Sequence, residues 1–466
     1  MSRSSRRYDA LAAFESEACT VELLGLSKSR RHQASSLAQQ QGLQRAERWK
    51  YTPWHKHWPR TTQWNENPSQ HEDEGNDSQA STTHQSYASS NQQDATIPTI
   101  DEEGVYTIHT LNGRVHVPSS AQQQQLAQAG ISIYSLADHA QNPNTLTHSI
   151  QDQITQHLTH IAQEDGFTLT ALNTARTTDV CVIHVASTKN NSSAESVVPT
   201  LHIQHIHQPD HAQQVVYQRV LLMIEADASC TLLETFNNQS SGLCNHVIEI
   251  HAQNNAQIHY TRVQSEALMR HHIGRVAIQA QAESHVQAHF LNLGSKLARL
   301  DLDVDLLESK AQVDLYGLFT GSDTQHLDQQ IAMKHQAAHC QSSQEFKGIL
   351  NHQSCGIFTG KVYVAPGAHH TQAQQNNPNL LLSTEAKAVA CPQLEIYNDE
   401  VECSHGATVG QLDPYALFYL QTRGIKREQA IQMLTQAFAS QIKKRVAEHV
   451  HPLIDQAITR TLHEKI

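Results

Sequence analysis

A repeated heptapeptide, first seen as Ala228-Ser-Cys-Thr-Leu-Leu-Glu234, decides the fold of this chain. Each copy begins with a small residue and then mixes polar with apolar side chains. The clearest later copies are Ala256-Gln-Ile-His-Tyr-Thr-Arg262, Ser284-His-Val-Gln-Ala-His-Phe290 and Ala311-Gln-Val-Asp-Leu-Tyr-Gly317, and fainter ones begin at Ala338 and Ala368. Successive copies start 28, 28, 27, 27 and 30 residues apart. A nearly constant period of this length is typical of a solenoid, in which each repeat forms one turn.

The residues between the copies indicate that the turns of this solenoid are built from strands. Short alternations of apolar and polar residues follow one another from Phe167 onward, and no helix-like spacing separates them. We therefore predict a parallel β-helix (β-solenoid) core over residues 167–410, with strands of successive turns about 4.8 Å apart. A β-sandwich is the alternative fold, but it does not explain the constant period.

Two regions of different composition precede the core. Residues 1–60 have helix-like apolar spacing, and the aromatic cluster of Trp49, Tyr51 and Trp54 is expected to pack the end of this region. Residues 61–99 are rich in Ser, Gln, Asn, His and Asp and nearly free of aliphatic side chains. Such a segment cannot bury enough apolar surface to offset the entropy lost on ordering. We predict that it is a disordered polar insert.

Residues 100–166 are predicted to form a hairpin and helices that lead into the core. The alternating residues 107–117 turn at Asn112-Gly113, a dipeptide typical of tight hairpins. Helix-like segments follow at about 119–128 and 144–163.

The chain changes from strand to helix close to its C-terminal end. Residues 392–403 alternate as strands do, and from Asp413 the period becomes helical. Asp413 can cap a helix, Pro414 suits its first position and Gly424 ends it. We predict a C-terminal helical region over residues 411–466. These helices could cap the end of the solenoid or bind a partner, and the sequence does not separate the two roles.

A thiol and an imidazole stand at this change of structure. Cys403 and His405 are two residues apart, and alternate residues of a strand point to the same side. Both could therefore face one partner or one metal ion. Two donors do not complete a tetrahedral or cluster site, and a half-buried thiol beside a turn histidine is the structural alternative. Glu400 and Glu402 are candidate auxiliary residues, either as oxygen ligands or as carboxylates that favour a charged imidazole.

The composition argues against several functions. The formal charge is -12 and only 17% of the residues are charged, which disfavours nucleic acid as a partner. No run of 18 apolar residues exists and no hydrophobic leader follows Met1, so we expect a cytoplasmic protein without membrane contact. The eight cysteines include no Cys-x-x-Cys pair, so most of them are expected to be small buried side chains. Most of the 33 histidines are expected to be polar surface residues.

Several motifs resemble those of the SufB/SufD family of SUF iron–sulfur cluster assembly scaffolds. The C-terminal ones are Pro392-Gln-Leu-Glu-Ile-Tyr397, Cys403-Ser-His-Gly-Ala-Thr-Val-Gly-Gln-Leu-Asp413 and Ala416-Leu-Phe-Tyr-Leu420 with Arg423-Gly-Ile425. Arg48-Trp49-Lys50-Tyr51-Thr52-Pro53, Leu300-Asp-Leu-Asp-Val304 and Phe358-Thr-Gly-Lys361 agree with them. Two features depart from the family pattern. The polar insert is longer, and Cys391 stands where a charged residue is expected.

The resemblance implies a right-handed parallel β-helix between helical ends, in a scaffold subunit without catalytic activity of its own. It implies that the chain pairs with SufB through the β-helix and binds the ATPase SufC through the C-terminal helical region. The residues expected to form this docking region are Asp413, Leu417, Phe418, Leu420 and Arg423. A homodimer is an alternative state for the isolated chain.

The resemblance also gives Cys403 and His405 a role, because they fall at the family's Cys-x-His positions. It implies that they lie at the interface with SufB, where nascent clusters form. Iron or a cluster bound there would be transient, and its other ligands would come from SufB, a persulfide or solvent. Cys391 is a further candidate for this site. No stably bound cofactor is expected, and a flavin on the complex remains open.

Two other functions are alternatives to a scaffold. A polysaccharide-active β-helix enzyme needs clustered carboxylates or a calcium site on one face of the solenoid. The candidates are Asp301, Asp303, Asp305 and Glu308, and the alternation of the three aspartates most simply indicates a solvated face. A nucleotide hydrolase needs the phosphate-binding pattern Gly-x-x-x-x-Gly-Lys-Ser/Thr. The nearest match, Gly356-Ile-Phe-Thr-Gly-Lys-Val362, is one residue too short and lacks the hydroxyl group, so we reject this function.

Overall fold

The structure is a computed structural model, and it describes five parts of the chain: residues 22–41, 49–52, 104–188, 199–207 and 215–462. The predicted insert and Trp54 lie outside these parts, and the predictions made for them stay predictions.

Strands form the centre of the described part. They are β1 Val105–Leu111, β2 Arg114–His116, β3 Ile131–Ser135, β4 Cys181–Val185, β5 Thr200–Ile206, β6 Val215–Ile224, β7 Ser229–Phe236, β8 Gly242–Ala252, β9 Gln257–Gln264, β10 Arg270–Ala280, β11 His285–Asn292, β12 Leu297–Leu306, β13 Gln312–Gly321, β14 His326–His335, β15 Gln341–Leu350, β16 Cys355–Val364, β17 Thr371–Leu381, β18 Lys387–Ile396 and β19 Val401–Gly410.

Successive strands alternate between two sheets. The odd-numbered strands from β5 to β19 lie side by side in a ten-stranded sheet that continues into β1 and β2, and the even-numbered strands from β4 to β18 lie in a nine-stranded sheet that ends in β3. Neighbours pair in parallel except β1 with β2 and β3 with β4, which are antiparallel. Each turn therefore gives one strand to each sheet. The predicted parallel β-solenoid is confirmed, with about seven turns.

The repeat seen in the sequence has its origin at one corner of each turn. The residues directly before the first four copies are Asp227, Asn255, Glu283 and Lys310, and each has a φ between 58° and 63°. This left-handed backbone redirects the chain sharply, at a cost of roughly 1–2 kcal/mol per residue. The small residue that follows is buried in every case, with at most 3% of its surface exposed. The period therefore records a corner in which a small side chain fits.

The last two copies begin later than the sequence pattern indicates. The left-handed residues there are His339 and His370, with φ of 62° and 56°. The turns accordingly start at Cys340 and Thr371, two and three residues beyond the predicted alanines. Both of these side chains are fully buried. A buried cysteine and threonine thus replace the small residue, which is why the repeat seems faint there.

Histidine is a common interior residue in this solenoid: 13 of the 27 described histidines are buried, more than the expectation of mostly surface positions implies. The buried ones are His139, His157, His184, His202, His205, His207, His246, His251, His271, His272, His289, His326 and His335. The inner faces of the strands form the core, and helices cover much of the outer faces, so polar positions on either side are enclosed. Many of these buried histidines have a polar partner. For example, His202 Nε2 lies 2.9 Å from Thr235 Oγ1.

Cysteines follow the expected pattern more closely. Cys181, Cys230, Cys244 and Cys340 are buried, and Cys355, Cys391 and Cys403 are half-buried. The described cysteines form no disulfides with one another.

Helices lie before, after and outside the strands. They are α1 Lys28–Gln41, α2 Ser120–Gln128, α3 Leu136–Gln141, α4 His148–His157, α5 Thr168–Arg176, α6 Pro414–Thr422, α7 Arg427–Lys443 and α8 His451–Leu462. Helix α5 occupies residues that the sequence pattern places at the start of the strands, and the first core strand begins only at Cys181. In α5 all nine residues are buried, which removes the amphipathic spacing by which a surface helix is recognised.

The helices cover the two outer faces of the solenoid. Helices α1 and α5 pack on the nine-stranded sheet, where Ala38 and Leu172 join Leu243 and Ile273 in one apolar cluster. Helices α7 and α8 pack on the ten-stranded sheet through apolar residues of both elements, namely Ala439, Ile442, Ile454, Ala457, Ile458, Leu291, Leu318 and Ile349. The C-terminal helices therefore cover a side of the solenoid. The sequence left two roles open for these helices, capping the end of the solenoid or binding a partner. Helices α7 and α8 do not cap the end.

Candidate functional site at the open end of the solenoid

The last turn of the solenoid carries the predicted thiol and imidazole. Strand β19 pairs with β17 only, and its register sets Cys403 beside Ala373 and His405 beside Gln375. Cys403 is half-buried against the edge of the apolar core, and burial raises the pKa of its thiol above the usual value. His405 lies on the same face of β19 and is exposed to solvent. The structure thus places two soft donors side by side at an open end.

The auxiliary residues do not join this pair. Glu402 lies on the opposite face of β19, where its carboxylate is 3.4 Å from the side-chain amide of Gln372. Glu400 precedes the strand, and its carboxylate is 3.2 Å from His369 Nδ1. Neither placement directs a carboxylate at Cys403 or His405, and a role for these two residues stays a prediction.

Cys391 is separated from Cys403 by its position in the fold. It lies on β18, in the other sheet, and alternation puts it on the face opposite to that of Leu394, which packs on the core. On that outer face its thiol is 3.4 Å from the Tyr51 hydroxyl, which comes from the N-terminal part of the chain. The structure therefore connects Cys391 with the segment at residues 49–52.

That segment lies along the outside of the nine-stranded sheet. The guanidinium of Arg299 stacks on the Trp49 ring at 4.0 Å, and Thr52 contacts His326 Nε2 at 2.8 Å. The sequence pattern predicts that Trp49 and Tyr51 pack the end of the N-terminal region. The structure instead shows them against the solenoid, because the buried Arg299 presents a cation to the aromatic face.

Helix α6 follows the last strand and is the least covered helix of the described chain. Asp413 caps it by accepting a hydrogen bond from the backbone N–H of Tyr415 at 2.9 Å, and Pro414 takes the first helical position. None of its residues is buried. Leu417 and Leu420 are half-buried, whereas Phe418 is 66% exposed.

Two exposed aromatic residues of α6 are absent from the predicted set of docking residues. Tyr415 is 82% exposed and Tyr419 is 56% exposed, and with Phe418 they form one apolar strip in solvent. The Arg423 guanidinium lies over the Tyr419 ring at 5.3 Å. Their spacing of three and four residues was the signal that could have found them, since such residues share a helix face. We call Tyr415, Phe418 and Tyr419 the aromatic strip.

Three of the four carboxylates of the polysaccharide-enzyme alternative are already paired with cations, and the fourth, Glu308, is exposed. Asp301 contacts Arg299 at 2.8 Å, Asp303 contacts Arg275 at 3.2 Å and Asp305 contacts Lys334 at 3.1 Å. Asp301 and Asp303 are buried, so the expectation of a solvated face is wrong for them. The outer face of β12 is covered because the N-terminal segment lies on it.

The other alternative fails on backbone structure. Residues 356–362 lie inside the extended strand β16 and pair with both neighbouring strands. A phosphate-binding loop needs a turn whose backbone N–H groups converge, followed by a helix. Among the described helices, none is long and apolar enough to span a membrane.

The geometry first defines the class of protein, which is a parallel β-helix with an exposed last turn and an exposed helix after it. Comparison with known proteins then identifies the family. A family model described as SUF system FeS cluster assembly, SufBD core domain, matches residues 205–438, which is half of the chain. The chain belongs to this SufBD family of the SUF system.

Individual relatives agree with the family model. A SufBD family protein of iron–sulfur cluster assembly from Synechocystis is 32% identical over 283 residues, which are 58% of this chain and 61% of that protein. The iron–sulfur cluster assembly protein SufD of Escherichia coli K12 is 28% identical over 265 residues, which are 56% of this chain and 62% of that protein. The chloroplastic protein ABCI7 of Arabidopsis thaliana is 30% identical over 230 residues, 48% of each chain. The chain thus spans about three fifths of the length of the first two relatives.

Proposed function

We propose that this chain is the SufD-type scaffold subunit of a SUF complex, which helps to build and transfer iron–sulfur clusters without catalysing a reaction itself. The observation that carries this proposal is the open end of the solenoid in a member of the SufBD family. Strands β18 and β19 each have only one neighbour in the described chain, and β19 carries Cys403 and His405 shortly before an exposed helix.

The free edges of β18 and β19 suit a second β-helix as a partner. An unpaired edge strand presents backbone N–H and C=O groups that another strand can bind. Ile396, Tyr397 and Val409 are exposed apolar residues at this end. In the proposed complex the partner is SufB, and the two solenoids meet edge to edge. A homodimer of the isolated chain through the same edges stays a prediction.

The aromatic strip on α6 suits the ATPase SufC as a second partner. Exposed aromatic residues that lie together on one helix face are the usual anchors of protein interfaces. Helices α7 and α8 use their apolar faces to pack on the solenoid, so α6 is the C-terminal helix whose apolar residues remain free. We assign docking to the aromatic strip together with Leu417, Leu420 and Arg423, while Asp413 fixes the start of the helix.

Cys403 and His405 would then face the SufB interface as cluster ligands or transfer groups. A thiolate and a neutral imidazole are ligands that iron accepts, and the partner supplies the others. Since burial raises the pKa of Cys403, an approaching cation would be needed to favour its thiolate. Contact with flavin and a cytoplasmic location stay predictions.

The test is to co-express the chain with SufB and SufC and to change the two donors. Cys403→Ser and His405→Ala should each leave assembly of the complex intact and cost less than about 1 kcal/mol of folding free energy, because neither residue is deeply buried. Iron and acid-labile sulfide per complex should fall in both variants.

Two matched controls keep the test specific. Cys355→Ser changes a half-buried thiol on β16, and His259→Ala changes an exposed histidine on β9. Both controls should keep the wild-type cluster content. A normal cluster content in the Cys403→Ser, His405→Ala double variant would refute the proposed role of this pair.

A further inference from the structure

A second set of possible ligands lies inside the solenoid, far from its open end. His205 on β5, Glu234 on β7 and His246 on β8 bring one ligand atom each within 4.8 Å of the others. All three side chains are buried, with at most 2% of the residue exposed. Six strand spacings separate β7 from β19 in the ten-stranded sheet, which is roughly 30 Å. This cluster is therefore distinct from Cys403 and His405.

The three ligand atoms converge on one point. His205 Nε2 and His246 Nε2 each lie 2.8 Å from the same oxygen, Glu234 Oε1. His246 Nδ1 has no hydrogen-bond partner in the described structure, and Nε2 lies close to Glu234 Oε1 without being well aligned for a hydrogen bond to it. A fully buried imidazole whose nitrogens are unpaired or poorly aligned is costly. Its position is explained if the lone pair of Nε2 is directed at a bound ion.

Neighbouring groups orient the three possible ligands. In metal sites this is done by outer partners, which are residues that hydrogen-bond to a ligand without binding the metal. Thr110 Oγ1 lies 2.8 Å from His205 Nδ1, which leaves Nε2 of that ring for the cluster. The Tyr260 hydroxyl donates a hydrogen bond to Glu234 Oε2, the oxygen that does not face the imidazoles. Such outer partners fix ring orientation and ligand basicity.

A neighbouring cluster shows what a purely structural network looks like in the same interior. Cys244, Glu266 and His272 are also close together and buried. There Glu266 accepts hydrogen bonds from Arg270, His272, Gln264 and Asn238, at 2.8, 2.7, 3.1 and 3.3 Å. The second nitrogen of His272 contacts the Arg262 guanidinium. The imidazole of this cluster is held by partners at both nitrogens, whereas the His246 imidazole of the first cluster makes no well-aligned hydrogen bond.

We propose that His205, Glu234 and His246 form a binding site for one divalent first-row transition-metal ion inside the solenoid. Two imidazoles and one carboxylate are a common ligand set for Zn²⁺ and Fe²⁺, and they leave further positions for water. The Arg262 guanidinium stacks on Phe236 at 4.8 Å and is directed at His272, so its charge weakens the site without occupying it. The ion would enter during folding, since the folded site is enclosed.

The experiment uses the full chain, without a polyhistidine tag, produced in medium supplemented with Zn²⁺ or Co²⁺. Loosely bound metal is removed with a chelator, and the remaining metal is measured by elemental analysis and native mass spectrometry. We expect about one ion per chain in the wild type. Glu234→Gln and His246→Asn should each lose it. Thr110→Val, which changes only an outer partner, should weaken binding roughly 10-fold or more.

Two controls locate the ion. Glu266→Gln alters the neighbouring network and His405→Ala alters the open end, and both should retain the metal. The Co²⁺ spectrum of the wild type should show nitrogen and oxygen ligands only. This spectrum needs no variant, so it decides the question even if a variant fails to fold.

Several results would overturn the site. They are a wild type that retains no metal after loading, a thiolate-to-cobalt charge-transfer band, retention of the ion in both Glu234→Gln and His246→Asn, or equal loss in Glu266→Gln. None of them would affect the proposed assembly function, which depends on the open end and is measured by complex formation and cluster content.

Discussion

At its N-terminal end the solenoid is closed by short antiparallel strands, whereas at its C-terminal end two long strands each have a neighbour on one side only in the described chain. Strands β2 and β3 contain three and five residues, and β18 and β19 contain ten each. Helix α2 also packs on the core near the closed end, through Leu126. Short or covered edges prevent uncontrolled strand pairing. One end therefore completes the fold, and the other is the end at which the proposed complex places a partner.

The two ends also differ in how their polar residues are held. In the N-terminal and central turns, histidines and arginines are buried between the core and the covering helices. In the last turns His339, His369, His370 and His405 are exposed. If this contrast has the proposed meaning, changes at the closed end should affect folding, and changes at the open end should affect assembly. Four predictions test this, beginning with the largest effect.

Acid should destabilise the enclosed part of the solenoid by several kcal/mol. Burial lowers the pKa of His251, His289, His326 and His335 to about 4, whereas an unfolded histidine titrates near pH 6.5. Between these values the unfolded chain binds protons that the folded chain does not, so the free energy of unfolding falls as the pH falls from about 6.5 to about 4. At about pH 5 each histidine contributes about 1–2 kcal/mol of this loss.

Denaturant titration at about pH 7 and about pH 5 measures the loss. His335→Gln removes one titrating group, so this variant should lose less stability on acidification than the wild type does. An unfolding free energy that is independent of pH across this interval would contradict the prediction.

Removing apolar side-chain volume should lower the free energy of unfolding at the closed end and leave it nearly unchanged at the open end. Leu126 is 1% exposed and packs on the main core, so Leu126→Ala should cost about 2–5 kcal/mol of unfolding free energy. Val409 on β19 is 50% exposed, and Val409→Ala should cost less than about 0.5 kcal/mol. Thermal and denaturant unfolding of both variants provide the comparison. Equal costs would mean that the last strand is as deeply packed as the first turn.

Charge at the open edge should block pairing with SufB while the chain stays folded. Ile396→Lys combined with Val409→Lys puts two cations where the apolar edge would be covered. A change at the centre of an interface that costs about 2 kcal/mol weakens binding roughly 30-fold. Affinity is measured with purified SufB.

Met269→Lys is the matched control for the edge, because Met269 is 69% exposed in the turn between β9 and β10. It adds a cation on an apolar surface residue away from both ends. A similar loss of SufB binding in this control would show that the pairing surface lies elsewhere.

The sequence predicts the solenoid well because the fold repeats one local requirement. A left-handed corner followed by a buried residue recurs in six successive turns, from β7 to β17, and Ala228 or Ala311 reports it without any knowledge of tertiary contacts. The helix start at Asp413 and Pro414 is equally local. Helix α5 could not be recognised, because its burial on all sides leaves no periodic pattern.

Burial of polar residues was harder to predict, because it depends on which elements cover a strand. Asp301 alternates with apolar neighbours as a surface residue does, yet the N-terminal segment and Arg299 enclose it. For the candidate site, local sequence placed Cys403 and His405 on one face of a strand. It could not show that Cys391 faces Tyr51 instead, since that contact joins residues 340 positions apart.

The smallest expected effect concerns the aromatic strip on α6. Phe418→Ala should weaken SufC binding by about 1–2 kcal/mol, because exposed aromatic anchors often supply that much at an interface. The stability of the isolated chain should not change, since no residue of α6 is buried. Met433→Ala is the control, because Met433 is an exposed apolar residue on the neighbouring helix α7. SufC binding is measured for each variant while the SufB interaction is intact. This distinguishes the contribution of helix α6 from that of the strand edges. If Phe418→Ala and Met433→Ala bind SufC as the wild type does, the ATPase must use another surface, and the open end would then serve SufB alone.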